Sequence, residues 1–422
     1  MGCIEEEMRV RMNKNIEKYL EVMKDKEEYS KWNFTPDDDG PMVQTGYEDV
    51  YDELEKYTYE EYMKDVPEGH SGFEADDTPN QKKLQKEIIE IYRRKNIFPI
   101  PYYNYNGILN EIQKVINTEI EFDGDVISGG AGVGTGLCNF LFPNLYDTVS
   151  AKDLTKHKEG AESARKKFYN DDFLKKAIRV AIQYGKSTPQ PSSIYSGLGM
   201  VGSMPSNFKP LIAKSIYSRF TEVGNTVFDS SCGFGGRLLG ALSSKKNLRY
   251  IGCDPNSETQ KHLHELGGYI EEVTGRENSF ELFEKGSEEF CYGDNTIDFA
   301  FSSPPYFDLE LYSVEDTQSS MKYPTLESWL EGFVRGTIKN LYRMLKPGKF
   351  YCVNIADFTS PSGGICHFVD EWTRISEEEG FERMPNLYLG IPARAGSLEK
   401  KLGEMKKENI LVFKSKKSFF DF

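Results

Sequence analysis

From Ser206 onward, short apolar strands and helical segments take turns along the chain at the spacing of repeated strand–helix–strand units. The periodicity predicts a helix from Phe208 to Phe220, a strand from Thr226 to Asp229 and a helix from Arg237 to Leu242. A strand from Tyr250 to Cys253, a helix from Glu258 to Thr274 and a strand from Ile297 to Ser302 continue it. A helix from Leu326 to Leu345 and a strand from Lys349 to Ile355 follow. Strands joined by helices lie parallel and are covered on both faces, so the fold class expected for 205–422 is α/β with a doubly wound sheet. Upstream the pattern differs. Residues 1–98 read as an acidic, mostly helical region with helices from Glu5 to Glu28 and Asn80 to Lys95. Residues 99–204 read as a basic auxiliary region with one good helix from Asp171 to Tyr184.

The charge distribution bears on partners. The chain of 422 residues has a formal net charge of −15, which taken whole speaks against a polyanionic partner. Roughly two-thirds of that excess lies in the first hundred residues, in runs such as Asp37-Asp38-Asp39. Between Lys152 and Arg219 the sign reverses, with Lys156, Lys158, Arg165, Lys166, Lys167, Lys175, Lys176, Arg179 and Lys186 facing few acids. These form a candidate phosphate-contacting stripe, with a solvated helix face as the plain alternative. Seven scattered cysteines without a C-x-x-C pair suit reduced thiols, and no Cys or His spacing suits a metal. There is no apolar run of eighteen residues and no signal-peptide pattern, so a cytoplasmic location without a membrane partner is expected.

Two glycine-rich segments compete for attention. In Asp229-Ser230-Ser231-Cys232-Gly233-Phe234-Gly235-Gly236-Arg237 the glycines fall where a strand turns into a helix and a backbone can approach a ligand closely. Some 25 residues on, the next strand ends in Asp254, the position from which a carboxylate accepts ribose hydroxyls in a doubly wound, Rossmann-like sheet. The G-x-G-x-x-G fingerprint is not met, because Leu238 holds its third glycine position, and no Walker lysine follows. An adenosine cofactor without a pyrophosphate is therefore indicated, which points to S-adenosylmethionine. Asp229 is expected near its methionine or ribose end. The denser cluster Ser128 to Gly136 lacks both signatures. It reads as a flexible loop ahead of a short apolar run, Leu137 to Pro143, with a ligand cradle as the alternative.

Ser303-Pro304-Pro305-Tyr306 follows the apolar strand that ends at Ser302. Two prolines hold the backbone extended and remove two amide donors, leaving carbonyls as acceptors. Acceptors beside an aromatic ring suit a conjugated exocyclic amino group. Ser303 Oγ and the Pro304 carbonyl can each take one N–H, drawing the nitrogen toward tetrahedral geometry, while Tyr306 stacks on the ring. The polar stretch Asp308 to Tyr323 reads as a lid in which Asp308, Glu310 or Gln318 reads the base edge.

Residues from about Phe208 to Asp357 resemble the S-adenosylmethionine-dependent amino-methyltransferases of DNA bases. The resemblance rests on Phe228-Asp229-Ser230-Ser231-Cys232-Gly233-Phe234-Gly235-Gly236 as cofactor loop and Ser303-Pro304-Pro305-Tyr306 as catalytic motif. The Ser-first form is similar to the N4-cytosine enzymes, with the N6-adenine enzymes as near neighbours. Pro205 to Pro210 resembles the segment that closes over the cofactor's methionine, and Leu345 to Phe350 their later turn and strand. Gly235 to Ala241, Tyr250 to Asn256 and Tyr306 to Glu310 are similar to a phage and bacterial subgroup of DNA methylases. The resemblance implies Phe208, Asp229, Ser230, Cys232, Gly233, Gly235, Asp254 and Pro255 around the cofactor, and Glu288 at its adenine. It implies Phe307, Asp308 and Glu310 beside the target base. Ser230, Ser231, Cys232 and Arg237 depart from the usual Asp-Pro-Phe-x-Gly-x-Gly-Thr loop. No long insert separates Asp254 from Ser303, so target reading falls to Lys166, Lys167, Lys175 and Lys176 in the stripe, with Lys400, Lys401, Lys406 and Lys407 as a second contact. DNA is the expected partner. RNA, a modified base or a protein amide, and an idle nucleic-acid- or protein-binding module, stay open beside it.

Overall fold

The computed structural model describes residues 34–36, 42–44, 47–67, 77–95, 97–130, 132–150, 163–186, 188–202, 205–313, 315–359, 365–391 and 406–418. The helix expected from Glu5 to Glu28 lies outside them, as do Lys156, Lys158, Lys400 and Lys401. The chain divides into two units, one including Asn106–Phe142 and Asn207–Phe422, the other made of Glu17–Tyr105 and Pro143–Ser206. Residues 106–142, grouped by sequence with the auxiliary region, instead join the sheet.

In chain order the first unit runs α1 (Tyr105–Asn117), β1 (Phe122–Asp123), β2 (Val126–Ile127), α2 (Thr135–Leu141), α3 (Pro210–Phe220) and β3 (Thr226–Asp229). Next come α4 (Gly236–Leu242), β4 (Arg249–Cys253), α5 (Ser257–Thr274), β5 (Phe280–Phe283) and β6 (Ile297–Ser302). It closes with α6 (Leu326–Trp329), α7 (Arg335–Met344), β7 (Leu345–Asn354), α8 (Phe368–Glu378), β8 (Phe381–Ile391) and β9 (Lys406–Ser415). The sheet order is β1-β2-β8-β9-β7-β6-β3-β4-β5. The five strands β7, β6, β3, β4 and β5 are mutually parallel, and β9 runs antiparallel to both β7 and β8. Going from β3 the chain steps outward through β4 to β5, then returns to lay β6 on the other side of β3. The strand order therefore reverses between β3 and β6, where an open α/β sheet leaves a crevice outside its strand ends.

Burial explains the central strands. All six residues of β6 are buried, as a strand covered on both faces requires. Phe299 stacks on Phe220 of α3 at 4.9 Å, and the other core carries Trp329, Phe368 and Trp372 under α6 to α8. The helix expected from Leu326 to Leu345 is broken by a π turn at Leu330–Val334, where Gly332 lies against the Tyr323 ring. β7 starts at Leu345, four residues early, with a register shift that absorbs Pro347 and the left-handed Gly348. Sequence patterning missed β5, β8 and β9.

The expectation for Ser128 to Gly136 and the run after it needs correction. The cluster's last two residues and the apolar run as far as Leu141 form helix α2, with its residues from Leu137 to Leu141 buried. Gly134, with φ of 75°, donates its N–H to the buried Glu111 at 2.9 Å. Lys214 is 1% exposed on α3, and its ammonium donates to the carbonyls of Val115, Ile116 and Thr118 at 2.8 to 2.9 Å. A buried cation thus caps the C-terminus of α1, where the helix dipole is negative.

The second unit is helical, with helices at Pro79–Lys95, Asp171–Gly185 and Pro191–Val201, the first two close to the bounds read from sequence. Gly197 allows the last two to touch, since a Cβ there would overlap the Ala177 carbonyl. Among the described residues no helix is long and apolar enough to cross a membrane.

Candidate active site

β3 delivers the first functional group. Asp229 is fully buried at its end. Its Oδ2 accepts from Arg237 Nε and the Tyr250 hydroxyl, both at 2.8 Å, while Oδ1 accepts from the Ser231 N–H at 3.1 Å and the Ser302 hydroxyl at 2.8 Å. Four donors saturate a carboxylate. The expectation that Asp229 faces the cofactor is therefore corrected: it ties β3, β4, β6 and α4 together beneath the loop. Arg237 also donates to the Ser231 carbonyl and lies 5.6 Å from the centre of the Phe208 ring.

The loop over this hub turns at two left-handed glycines, Gly233 with φ of 54° and Gly235 with φ of 76°. At Gly236 a Cβ would overlap the Phe208 carbonyl, and Asn207 Nδ2 donates to the Phe234 carbonyl at 2.6 Å. The segment before α3 is thus latched onto the glycine loop, with Phe208 edge-on to Phe301 of β6 at 5.4 Å. Two candidate ligands turn inward. Ser230 is buried, and Cys232 points its thiol under Gly252, 3.5 Å from the Tyr250 hydroxyl. Burial pushes that thiol well above its ordinary range.

Asp254 differs from Asp229. Its Oδ2 accepts the Gly233 N–H at 2.8 Å and its Oδ1 the Asn256 N–H at 3.1 Å, so each oxygen keeps a second acceptor site. Burial raises its carboxyl to about 6, against the pull of those two N–H groups. A Cβ at Gly233, beside this carboxylate, would meet nothing closer than 3.9 Å. The Pro255 carbonyl accepts the Thr317 hydroxyl at 3.3 Å. After β5, Glu288 has a side chain only 3% exposed; Oε1 accepts Lys322 Nζ at 2.9 Å, and among the described residues no donor reaches Oε2.

Ser303-Pro304-Pro305-Tyr306 leaves the end of β6, next to β3. The Ser303 hydroxyl donates to the Asn354 carbonyl at 3.3 Å, which directs its lone pairs elsewhere. Tyr306 is pinned at both ends. Its hydroxyl accepts the Ala356 N–H at 3.0 Å, and its ring meets Phe358 and Phe368 at 5.5 and 5.8 Å. Burial first, then the charge of Glu408, raises its phenol above the ordinary value. Glu408 and Asn354 come from β9 and β7, and no motif announced either.

Several substrate-side expectations are corrected. Phe307 is buried core, with its ring 5.7 Å from Trp329. Asp308 and Gln318 are buried as well, and Glu310 accepts from the Tyr312 hydroxyl. The stretch 308–323 is not an open lid. Glu315 accepts from the hydroxyl of Ser257 at 2.6 Å, joining it to the loop after β4. In the helical unit three described members of the basic stripe hold carboxylates and a fourth is buried. Arg165 is buried on Asp147 at 2.6 Å, Lys167 is buried near the Phe173 ring, Lys175 pairs with Asp172 at 3.0 Å and Arg179 with Asp77. Lys176 is exposed and Lys166 half-buried. Lys407 is exposed on β9, 5.2 Å from the Tyr388 ring.

No family model matches this sequence, and no curated protein does. Solved structures share remote likeness. A TehB-like SAM-dependent methyltransferase from Corynebacterium glutamicum is 14% identical over 53% of this chain and 95% of its own, with a TM-score of 0.30. A methyltransferase from Pyrococcus furiosus is 13% identical over 49% and 82%, with a TM-score of 0.32. TrmN from Thermus thermophilus is 13% identical over 51% and 50%, with a TM-score of 0.31. At such distances the fold stands on this chain's own strand order.

Proposed function

We propose that this chain is an S-adenosylmethionine-dependent methyltransferase acting on the exocyclic amino group of a DNA base, cytosine N4 first and adenine N6 as its neighbour. The observation that carries the reading is the position of Ser303-Pro304-Pro305-Tyr306. It leaves β6 at the point of strand-order reversal, beside the glycine loop of β3.

The residues present fit the cofactor. Asp254 keeps two acceptor sites for ribose hydroxyls, the open side of Gly233 lets a ligand approach the backbone, and Glu288 Oε2 is a buried acceptor without a donor among the described residues, suited to a purine amino group. S-adenosylmethionine, when bound, supplies an electrophilic sulfonium methyl. The protein's part is to present the acceptor nitrogen. Because the Ser303 hydroxyl spends its proton on Asn354, its lone pairs are free to accept one N–H of the target amine, and the Pro304 carbonyl takes the other. Both bonds localise the nitrogen lone pair, and Tyr306, held at its hydroxyl, offers a fixed ring for stacking. Aspartate-type base catalysis is not needed, since an alkylated amine is acidic enough to release its proton to water.

A base in a duplex has to leave the stack, at a cost of a few kcal/mol. One observation favours a second reading, the same transfer onto a protein amide. Arg165, Lys175 and Arg179 already hold carboxylates, which reduces what the stripe offers to phosphates. Incubation with tritiated S-adenosylmethionine and mixed DNA, followed by digestion to nucleosides, separates the two. Label in N4-methylcytosine or N6-methyladenine supports the DNA reading. Label confined to protein refutes it in favour of the amide.

A further inference from the structure

Resting on the cofactor reading above, we propose that Lys322 is a positioning residue that makes Glu288 a one-directional acceptor for the 6-amino group of the cofactor's purine. With it, the segment from Glu315 to Lys322 serves the cofactor side rather than the target base.

The Glu288 carboxylate is held from several sides. Asn340 Nδ2 donates to the carbonyls of Ser287 and Glu288 at 2.9 and 3.0 Å, fixing the backbone. Gly286 and Gly336 leave the room it occupies: a Cβ at Gly286 would overlap Oε2, and one at Gly336 would lie 2.8 Å from the Glu288 Cβ. Lys322 Nζ then takes Oε1 at 2.9 Å while also pairing with Glu289. An ammonium donates and never accepts, so the atom facing Lys322 must be an oxygen. Among the described residues no donor reaches the other, buried oxygen, which is costly unless a ligand supplies one.

The same segment holds the neighbouring loop. Glu315 accepts from the Ser257 hydroxyl at 2.6 Å and from its N–H at 3.3 Å, and Thr317 donates to the Pro255 carbonyl at 3.3 Å. One strap thus grips the loops bearing Asp254 and Glu288, the two carboxylates assigned to a single nucleoside. The segment read from the sequence as a lid is fastened to Ser257, Pro255 and Glu288.

Calorimetric titration with S-adenosylhomocysteine and with its 6-oxo counterpart, S-inosylhomocysteine, tests the proposal without any turnover. The native protein should prefer the 6-amino compound by about tenfold or more, the worth of a hydrogen bond to a charged acceptor. In Glu288→Gln, a nearly isosteric change, Lys322 must still face an oxygen. The amide NH2 then occupies the Oε2 place, and the preference should reverse toward the 6-oxo compound. In Glu288→Gln/Lys322→Met the amide loses its direction, and the two affinities should fall within about threefold of one another; Lys322→Arg in the same background should restore the reversal. A reversed preference that survives Lys322→Met would overturn the positioning role. Equal affinity of the native protein for both compounds would overturn Glu288 as purine reader while leaving the cofactor reading intact. Binding of neither would sink the cofactor reading itself.

Discussion

Arg237→Met tests whether the charge pair under the glycine loop stabilises the fold or merely fills space. Asp229 is inaccessible to solvent, and the Arg237 side chain is 5% exposed, with Nε 2.8 Å from Oδ2. Methionine keeps much of the stem's bulk and removes the cation. Losing one partner of a buried pair typically costs about 3–5 kcal/mol, because the remaining charge cannot reach water. Here the Tyr250 and Ser302 hydroxyls and the Ser231 N–H still solvate Asp229, which places the expected loss near 3 kcal/mol, the lower end of that range. Against a total stability of roughly 5–15 kcal/mol, that is a large fraction. With a denaturant slope of about 3 kcal/mol/M, the urea midpoint should move down by about 1 M. The second leg is Asp229→Asn in the Arg237→Met background. If the loss comes from a stranded charge, neutralising it should recover half or more of the midpoint. An unchanged midpoint in Arg237→Met, or a double variant no more stable than the single one, would refute the reasoning.

Four further outcomes are expected. Asp254, raised to about 6 in the folded protein from an ordinary value of 3.8, is ionised at neutral pH at a cost to the fold. The penalty is absent at pH values below the unfolded value and complete above the folded one, so the stability of Asp254→Asn relative to the native protein should rise between about pH 4 and pH 6; a gap constant across that window would count against the burial argument. The same carboxylate should give cofactor affinity that weakens as pH falls below about 6, measured by calorimetry. Tyr306→Ala should lower kcat/KM for the acceptor by about tenfold to a hundredfold through lost stacking, with S-adenosylhomocysteine affinity nearly unchanged. Lys214→Met should destabilise the sheet unit by about 2 kcal/mol or more, since it strands three helix-end carbonyls inside the protein. Thermal denaturation reads this directly, and a melting point within one degree of native would show that water or backbone shifts replace the cap.

The sequence alone determined what local patterning encodes. Strands β3, β4 and β6 with helices α3, α4 and α5 could be drawn within a residue or two, because apolar periodicity and glycine placement are properties of neighbours. It also placed Asp254 and Ser303 to Tyr306 directly after strands, where the fold has them. The tertiary structure decided everything that depends on a distant partner. Asp229 reads as a ligand until Tyr250 and Ser302, 21 and 73 residues away, take up its lone pairs. Arg165 and Arg179 read as free charges of the basic stripe until Asp147 and Asp77 pair with them. Lys322 reads as part of a lid until it reaches Glu288, 34 residues back. A charge's meaning lies in what it faces, and folding brings together residues that no window of sequence contains.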